Sequence, residues 1–292
     1  MLVKFKQPPA AAKLAAVTTA TGATYRRPLG GAGWFKLEAP TQSVAQLLAT
    51  LSADADVAKV EPDYIGHPTA VRASAVPDRI TPMFELPNDP FYSSQWAFEN
   101  TGQAIGGITG TPGADINAPA AWDLSTGSKS VVLVNFDTGI DFNNPDLAPN
   151  VGSAPSAYTF TEGGNVYNCP QGSHGFNAID SQSGCAGQEY DNGGTNGHGT
   201  LQAGAMGAAT DNGIGIAGTD WNATMLSISI CTDVCDSATA VTGIDAALQI
   251  ASHFGLHLAA GNFSHGGLDD SASRRDDPSR DGDRDDFCRE HR

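Results

Sequence analysis

Apolar and polar residues recur with two different periods in the first 64 positions of the chain. Strict alternation predicts strands, and apolar residues that recur on one helical face predict helices. The predicted order is a strand at 2–6, a helix at 10–21, a strand at 33–38, a helix at 43–51 and a strand at 57–64. This β-α-β-α-β order is typical of a small α+β unit with a ferredoxin-like fold, which we place at residues 1–67.

The pattern is lost between residues 68 and 87, where Pro, Ala, Arg and Asp dominate, and we interpret this stretch as a linker. Regular patterns return in a second, larger domain at residues 88–267. They predict a short helix at 116–124, strands at 131–137 and 223–230, and a helix at 242–252. The Gly-, Asn- and Ser-rich segment 150–195 is too long for a simple connection, so we expect it to be an insertion.

The strand at 131–137 has an acidic residue at its end. Its apolar run predicts a strand that is buried on both faces, as in the parallel sheets of α/β domains. Asp137-Thr138-Gly139 then places a carboxylate at the carboxyl end of the strand, which is the edge where open α/β sheets build their sites. Taken alone, the motif is equally compatible with an ordinary turn, so its meaning depends on partners further along the chain.

Composition limits the classes of protein to which the chain can belong. With 292 residues, of which 40% are hydrophobic, it can hold one large core and one small core. Its 32 acidic and 16 basic residues give a formal charge of -16, which argues against a nucleic acid partner because phosphate binding needs clustered cations. No run approaches the ~20 apolar residues that span a bilayer, which argues against a membrane protein.

Four of the five cysteines form two local pairs, Cys169 with Cys185 and Cys231 with Cys235. Neither spacing matches the paired knuckles of a zinc site, so we interpret both pairs as disulfides of an exported protein, with free buried thiols as the alternative. The residues after Met1 nevertheless lack the apolar region of a signal peptide. We therefore expect that a signal peptide precedes Met1 in the precursor and that the protein is extracellular.

Three short motifs occur in an order that resembles the subtilases, the subtilisin-like serine proteases. They are Asp137-Thr-Gly-Ile, Pro145-Asp-Leu147 and His198-Gly-Thr-x-x-Ala-Gly204. In addition, residues 1–67 look like the inhibitory propeptide of that family, and Asn88-Asp-Pro-Phe-Tyr resembles the start of many mature domains. The resemblance implies a doubly wound α/β catalytic domain on a mostly parallel sheet, peptide or protein substrates, and the chain's own propeptide as a partner.

The chemistry expected of this family fits Asp137 and His198. A serine hydroxyl is a poor nucleophile until an imidazole accepts its proton, and that imidazole needs a carboxylate on its other nitrogen. The resemblance makes His198 the general base and then the general acid, and it makes Asp137 the residue that orients the imidazole. Because Gly197, Gly199 and Gly204 have no side chains, we expect the helix of His198 to pack closely on the strand of Asp137.

The chain departs from the family in two respects. Leu201-Gln202 stands where His-Val is common, and we expect this difference to affect packing rather than chemistry. More importantly, the nucleophile motif Gly-Thr-Ser-x-Ala does not occur in the sequence, and neither does a Gly-x-Ser-x-Gly elbow. The serine of the expected triad is therefore missing from these residues.

A segment near residue 262 resembles the strand on which the family binds its substrate through backbone pairing. The resemblance gives Ser264 and Gly266 a role in substrate binding, and it does not make Ser264 the nucleophile. Ala259-Ala-Gly-Asn262 also resembles the family's oxyanion segment, which leaves Asn262 a second role as an oxyanion donor. We rank that role lower, because Asn262 follows His198 too closely along the chain.

Subtilases often bind structural calcium, and the resemblance implies acidic ligands at Asp146 and Asp211. Hard cations favour oxygen-rich loops of this kind, including their backbone carbonyl groups. The alternative is that both residues are solvated aspartates in turns. No cofactor is expected for catalysis itself.

Residues 268–292 do not have the composition of a folded core. Nine acidic residues and six arginines lie between positions 269 and 292, and a genuine tail of this kind would be disordered and solvated. Read one base later with GC-rich codons, however, the same stretch can encode an amphipathic helix followed by a buried strand. We therefore hypothesise a frameshift near residue 268, which an intact reading frame in the gene would refute.

These observations favour the precursor of a secreted serine endopeptidase that is inactive as written, because its nucleophile is absent. The alternative is a pseudoprotease or a propeptide-type inhibitor that binds other subtilases. An aspartic protease would need a second Asp-Thr-Gly or Asp-Ser-Gly, and the sequence has none. A zinc peptidase would need His-Glu-x-x-His, but Phe254 follows His253 in the single segment with a similar spacing.

Overall fold

A computed structural model describes residues 1–29, 33–63, 65–68, 86–180, 182–191, 197–232 and 234–266. Most of the predicted linker at 68–87 and all of the predicted tail at 268–292 lie outside these residues. The frameshift hypothesis therefore stays a prediction. Within the described ranges, no helix is both long enough and apolar enough to cross a lipid bilayer.

The N-terminal unit consists of a four-stranded antiparallel sheet and two helices. Its elements are β1 (Leu2–Phe5), α1 (Ala11–Thr21), β2 (Thr24–Leu29), β3 (Trp34–Glu38), α2 (Val44–Ser52) and β4 (Val57–Glu61). The strands lie in the order β2-β3-β1-β4, and this βαββαβ topology is that of a ferredoxin-like fold. Val3, Leu37 and Leu51 are almost fully buried, so the unit has a core of its own.

The rest of the described chain contains eleven further strands and three α-helices. They are β5 (Ile65–Pro68), β6 (Ala104–Ile105), β7 (Ile108–Thr109), α3 (Ala118–Trp122), β8 (Val132–Asp137), β9 (Tyr158–Glu162), β10 (Asn165–Cys169), β11 (Gly175–Asn177), α4 (His198–Gly207), β12 (Thr224–Ser229), β13 (Cys235–Asp236), α5 (Ser237–Phe254), β14 (Leu258–Asn262) and β15 (His265–Gly266), with a 3-10 turn at Tyr92–Ser94. Four of these strands form the central parallel sheet, in the order β11-β12-β8-β14.

Strand β8 is buried on both faces, as its apolar run predicts. Val134 and Phe136 pack under α5 in one cluster with Ile250. Leu133 packs on the opposite face in a cluster with Ala203 of α4. Helices therefore cover both faces of a parallel sheet, which confirms the doubly wound α/β architecture.

The segment 150–195 contributes to the fold more than an insertion would. Strands β9 and β10 form an antiparallel hairpin, and β11 joins the central sheet beside β12. Tyr158 and Phe160 alternate with exposed residues in β9 and belong to the core beneath α5. A disulfide between Cys169 and Cys185 ties the end of the hairpin to the loop that follows β11.

Strand β5 connects the two parts of the chain. It lies between β13 and β15 and runs antiparallel to both, with Gly66 opposite Cys235 and His67 opposite Gly266. The segment that follows the N-terminal unit is therefore the central strand of a small sheet, and the outer strands of that sheet belong to the second part of the chain.

Candidate active site

The structure brings Asp137 and His198 together although they lie 61 positions apart in the chain. Asp137 is the last residue of β8, and His198 is the first residue of α4. The imidazole Nδ1 lies 2.8 Å from the carboxylate Oδ1, and the two side chains are only 19% and 4% exposed, respectively. A carboxylate in this position accepts the proton of Nδ1, which leaves Nε2 free to take up a proton. The pair therefore has the geometry of a general base and the acid that orients it.

Backbone groups hold Asp137 in place. Its Oδ1 accepts a 2.8 Å hydrogen bond from the N–H of Thr138, which fixes the carboxylate. Its carbonyl oxygen accepts hydrogen bonds from the N–H groups of Ile230 and Cys231, which tie the end of β8 to the end of β12. The carboxylate therefore needs little reorganisation when the imidazole gains a positive charge.

Gly199 allows α4 to approach the turn that follows Asp137. A Cβ at this position would lie 2.2 Å from the carbonyl oxygen of Gly139 and 2.9 Å from Thr138 Oγ1. Gly139 itself has a φ of 109°, which side chains other than glycine rarely adopt. The two glycines thus let the backbone of α4 touch the backbone of the Asp137 turn.

The other two glycines of the motif do not take part in this contact. A Cβ at Gly197 would meet only Asp191 Oδ2, at 3.9 Å, and a Cβ at Gly204 would meet Ile216 Cδ1 at 3.1 Å. The expectation that all three glycines permit the close approach is therefore wrong for Gly197 and Gly204.

Gln202 lies beside the imidazole, one helical turn after His198. Its amide Nε2 is 3.5 Å from His198 Nε2, and its Oε1 accepts a 2.9 Å hydrogen bond from the Ser264 hydroxyl. The side-chain amide of Asn262 donates to the same hydroxyl at 2.8 Å. Gln202 therefore contacts the imidazole Nε2 of His198 itself, which corrects the expectation that it affects packing alone.

The residues predicted to bind substrate lie at the end of β14 and just beyond it. Ser264 is joined to His198 through Gln202. Gly266 lies in β15, and its backbone is paired with His67 of β5. The strands on either side of β5 therefore form a slot that holds an extended peptide backbone.

Asp146 is buried beneath the loop that follows α4. Its Oδ1 accepts a 2.9 Å hydrogen bond from the Asn212 side-chain amide, and its Oδ2 accepts one of 2.9 Å from the N–H of Ile216. Asp211 lies in the same loop with a φ of 60°, and its carboxylate accepts a 3.2 Å hydrogen bond from the N–H of Asn88. The two predicted calcium ligands are thus near neighbours, but each already has protein partners.

Asp89 is a further acidic residue at this place, and the sequence analysis did not single it out. Its Oδ2 accepts a 2.8 Å hydrogen bond from the N–H of Asp211, whereas its Oδ1 is buried without a hydrogen-bond partner among the described residues. Burial raises the pKa of Asp89, and the Asp146 carboxylate acts in the same direction, against the backbone N–H groups of Asp211 and Asn212. A cation at this point would satisfy the orphaned oxygen and offset the repulsion between carboxylates.

The described residues contain no group of three or more His, Cys, Asp or Glu side chains arranged to hold a metal ion. A calcium ion at Asp89 and Asp146 would therefore take its other ligands from amide and backbone carbonyl oxygens, which are common ligands for this cation. The signal in the sequence that points to Asp89 is the Asn88-Asp-Pro motif, which by resemblance indicates only the start of a domain.

The second disulfide lies between Asp137 and the slot that β5 occupies. Cys231 and Cys235 are four positions apart and are bonded to each other. The N–H of Cys231 donates to the carbonyl oxygen of Asp137, and Cys235 pairs with Gly66 of β5. This disulfide therefore braces the outer strand of the slot against the strand that carries Asp137.

Comparisons with known proteins indicate the family of this chain. The sequence model of the Subtilase family matches residues 128–277, about half of the chain. Neuroendocrine convertase 2 of Bos taurus is 36% identical over 133 residues, which cover 44% of this chain and 17% of that protein. An extracellular protease of Xanthomonas campestris pv. campestris is 31% identical over 231 residues, which cover 74% of this chain and 34% of that protein. The chain thus spans only a minor part of the length of either relative.

A solved structure with a similar fold is that of fervidolysin from Fervidobacterium pennivorans, a keratinolytic enzyme related to subtilisin. It aligns with a TM-score of 0.53 at 18% sequence identity, and the alignment covers 92% of this chain and 36% of that chain. This likeness concerns the fold, and the family match covers the segment that carries Asp137 and His198. The chain therefore belongs to the subtilase family.

Proposed function

We propose that the chain is the precursor of a secreted serine endopeptidase. The proposal is carried by the buried pair of Asp137 and His198, whose side chains are 2.8 Å apart. In a site of this kind the imidazole Nε2 takes the proton of a serine hydroxyl as the hydroxyl attacks a peptide carbonyl, and it then returns the proton to the leaving amine. Asp137 keeps Nδ1 protonated and stabilises the imidazolium that forms.

Peptides and proteins are the substrates that fit the slot between β13 and β15. Backbone groups on the two outer strands pair with an extended chain whatever its side chains are. Strand β5 already fills this slot with residues 65–68. We propose that residues 1–67 act as the propeptide and that cleavage within 68–87 frees the slot for substrate.

The nucleophile is the missing part of this reaction. Because Gly-Thr-Ser-x-Ala does not occur in the 292 residues, we expect that they do not hydrolyse peptides by themselves. Treatment with a serine-directed phosphonate tests this, with His198→Ala as the control. Labelling that depends on His198 would contradict the absence of a nucleophile.

Sequencing of the gene tests the assignment itself. Finding Gly-Thr-Ser-x-Ala in any frame beyond codon 250 would support an endopeptidase precursor. Its absence from all frames would refute the endopeptidase and favour a binding function.

A second candidate function is that of a pseudoprotease or a propeptide-type inhibitor. Two observations favour it: β5 lies where a bound peptide would lie, and the Gln202 amide faces His198 Nε2, where a serine proton would arrive. Addition of the full chain to an active subtilase tests this function. Stoichiometric inhibition that survives His198→Ala would support it, and no inhibition at any concentration would remove it.

We propose that structural calcium binds between the start of the catalytic domain and the loop after α4. Asp89 and Asp146 would supply carboxylates, and the Asn212 side chain and backbone carbonyl groups would supply the remaining oxygen ligands. The orphaned Oδ1 of Asp89 supports this site. Direct coordination by Asp211 stays a prediction.

An extracellular location is part of the same proposal. Two disulfides favour an oxidising compartment, since cytosolic proteins rarely keep them. The Xanthomonas relative is named as an extracellular protease, which points the same way. Comparing cell-free medium with lysate from the producing organism would decide it, and retention of the protein inside cells would argue against it.

A further inference from the structure

The N-terminus of α5 receives carboxylates from both parts of the chain. Asp236 is the N-cap residue of α5, and its Oδ1 accepts hydrogen bonds from the N–H and the hydroxyl of Thr239, at 2.7 and 2.9 Å. Asp63, which follows the last strand of the N-terminal unit, accepts a 2.9 Å hydrogen bond from the N–H of Ala238 through its own Oδ1. Two acidic side chains, 173 positions apart in the numbering, therefore cap one helix.

Lys36 of β3 neutralises this pair of acids. Its Nζ lies 2.9 Å from Asp63 Oδ2 and 3.5 Å from Asp236 Oδ2. The side chains of Lys36 and Asp63 are each only 11% exposed. Burial opposes the charged ammonium, but the carboxylates of Asp63, Asp236 and Glu38 together outweigh burial and raise the pKa of Lys36. The lysine is thus the cation that allows two like charges to lie together.

Other charges nearby do not replace Lys36. The α-ammonium of Met1 is close enough to feel Asp63 and Asp236, but its hydrogen bond goes to the carbonyl oxygen of Leu37. Glu38 adds a third carboxylate to the neighbourhood. The helix N-terminus contributes only about half a positive charge. Without Lys36, the acids from the two parts would repel each other.

An apolar contact lies beside the charged group. Leu2 and Leu29 of the N-terminal sheet form one buried cluster with Ala238 of α5, and Trp34 and Val241 pack against it. This contact stabilises the packing of the N-terminal sheet on α5, but it does not distinguish one catalytic domain from another, because apolar burial is not directional. Discrimination between partners must therefore come from the polar group at its edge.

We propose that Lys36 is the residue by which the N-terminal unit recognises its catalytic domain. Lys36 makes the N-terminal unit bind preferentially to subtilase domains that carry a carboxylate at the N-cap of the helix corresponding to α5. A unit that keeps Asp63 but lacks Lys36 brings its carboxylate next to the N-cap carboxylate with no lysine between them, and a domain with a basic N-cap repels Lys36 itself. This inference rests on the proposed role of residues 1–67 as a propeptide.

The test is a double-mutant cycle on the full chain. A site for a sequence-specific protease is introduced within residues 69–85, and the protein is immobilised through a C-terminal tag because the Met1 ammonium is buried. After the chain is cut, release of the N-terminal fragment is followed over time. Asp236→Asn keeps the cap, since Asn and Asp cap helices equally well, and removes only the charge. Lys36→Met removes the cation and keeps most of the stem.

We expect Lys36→Met to weaken retention of the fragment by about 30-fold, because it removes the cation that Asp63 and Asp236 share, next to an Asp63 side chain that is only 11% exposed. Adding Asp236→Asn to Lys36→Met should restore most of the loss, whereas Asp236→Asn alone should have a much smaller effect. Lys13→Met is the matched control: Lys13 also bridges two aspartates, Asp54 and Asp56, but both belong to the N-terminal unit. It should not change retention.

Two results would overturn the role of Lys36 but not the proposed role of residues 1–67 as a propeptide. One is that the effects of Lys36→Met and Asp236→Asn are additive, and the other is that Lys36→Met and wild type retain the fragment equally. Immediate release of the wild-type fragment would overturn both proposals. Circular dichroism before cutting shows whether Lys36→Met is folded. Lys36→Gln also lacks the cation and is measured in parallel, so that it can decide the question if the Met variant folds poorly.

Discussion

Replacing Gly199 with Ala perturbs the contact that brings α4 next to the Asp137 turn. The new Cβ would lie 2.2 Å from the carbonyl oxygen of Gly139, and relief of this overlap requires a displacement of about 1 Å. Because His198 directly precedes Gly199, such a displacement stretches the 2.8 Å contact with Asp137 beyond hydrogen-bonding range. Overpacking of this kind lowers the free energy of unfolding by about 1–3 kcal/mol.

Gly204→Ala is the matched control in the same helix. Its Cβ would meet only the end of the Ile216 side chain, at 3.1 Å, and Ala is favoured over Gly inside a helix by about 1 kcal/mol. We therefore expect Gly204→Ala to be as stable as wild type or more stable. Guanidinium unfolding gives the stabilities, and proton NMR of the His198 Nδ1–H group reports the hydrogen bond. If Gly199→Ala matched Gly204→Ala in both measurements, the backbone contact would not set the geometry of the site.

Three further changes have defined outcomes. Gln202→Val removes the amide beside His198 Nε2, so modification of His198 by diethyl pyrocarbonate should accelerate about 3- to 10-fold. Mass spectrometry measures the rate of modification, and an unchanged rate would contradict the contact. A chelator should lower the Tm of the wild type but not that of Asp89→Asn, and equal losses would argue against Asp89 as a calcium ligand. Replacing Cys231 and Cys235 with Ser should lower the free energy of unfolding, measured with a denaturant, by about 2 kcal/mol. Replacing Cys169 and Cys185 should lower it by about 3 kcal/mol, because that disulfide closes a longer loop. The reverse order would count against loop entropy as the cause.

The elements that carry the candidate pair could be predicted from sequence because their signals are local. The apolar run that ends at Asp137 can be satisfied only by a strand covered on both faces, and the structure has such a strand as β8. Small residues around His198 are compatible with a helix that packs closely on its neighbour. The role of each residue came from the resemblance, and the distance between them came only from the structure.

The remaining contacts could not be predicted because they join residues far apart in the chain. Gln202 meets Ser264 across 62 positions, and the Asp89 carboxylate meets the N–H of Asp211 across 122 positions. Asp63 reaches the N-terminus of α5 across 175 positions. Periodicity and spacing carry no information on such pairs, which depend on the order of the strands and on how the N-terminal unit docks.

Two of the strands that the sequence did not predict, β2 and β9, were missed for different reasons. Strand β2 contains Pro28 and does not alternate, and it forms because β3 pairs with it on both sides of an irregularity between Tyr25 and Arg27. Strand β9 does alternate, with Tyr158 and Phe160 inward, but the surrounding Gly and Asn residues favoured a loop. The first strand depends on tertiary pairing, whereas the second carried a usable signal.

The most direct test of the account is the proton NMR signal of His198 Nδ1–H in the full chain. A 2.8 Å hydrogen bond to a buried carboxylate deshields this proton, so we predict a resonance well downfield of the backbone amides. Asp137→Asn should abolish it, whereas Asp141→Asn, a change at a neighbouring acid, should leave it in place. Absence of the resonance from the wild type, or its persistence in Asp137→Asn, would contradict the claim that Asp137 orients His198 as a general base.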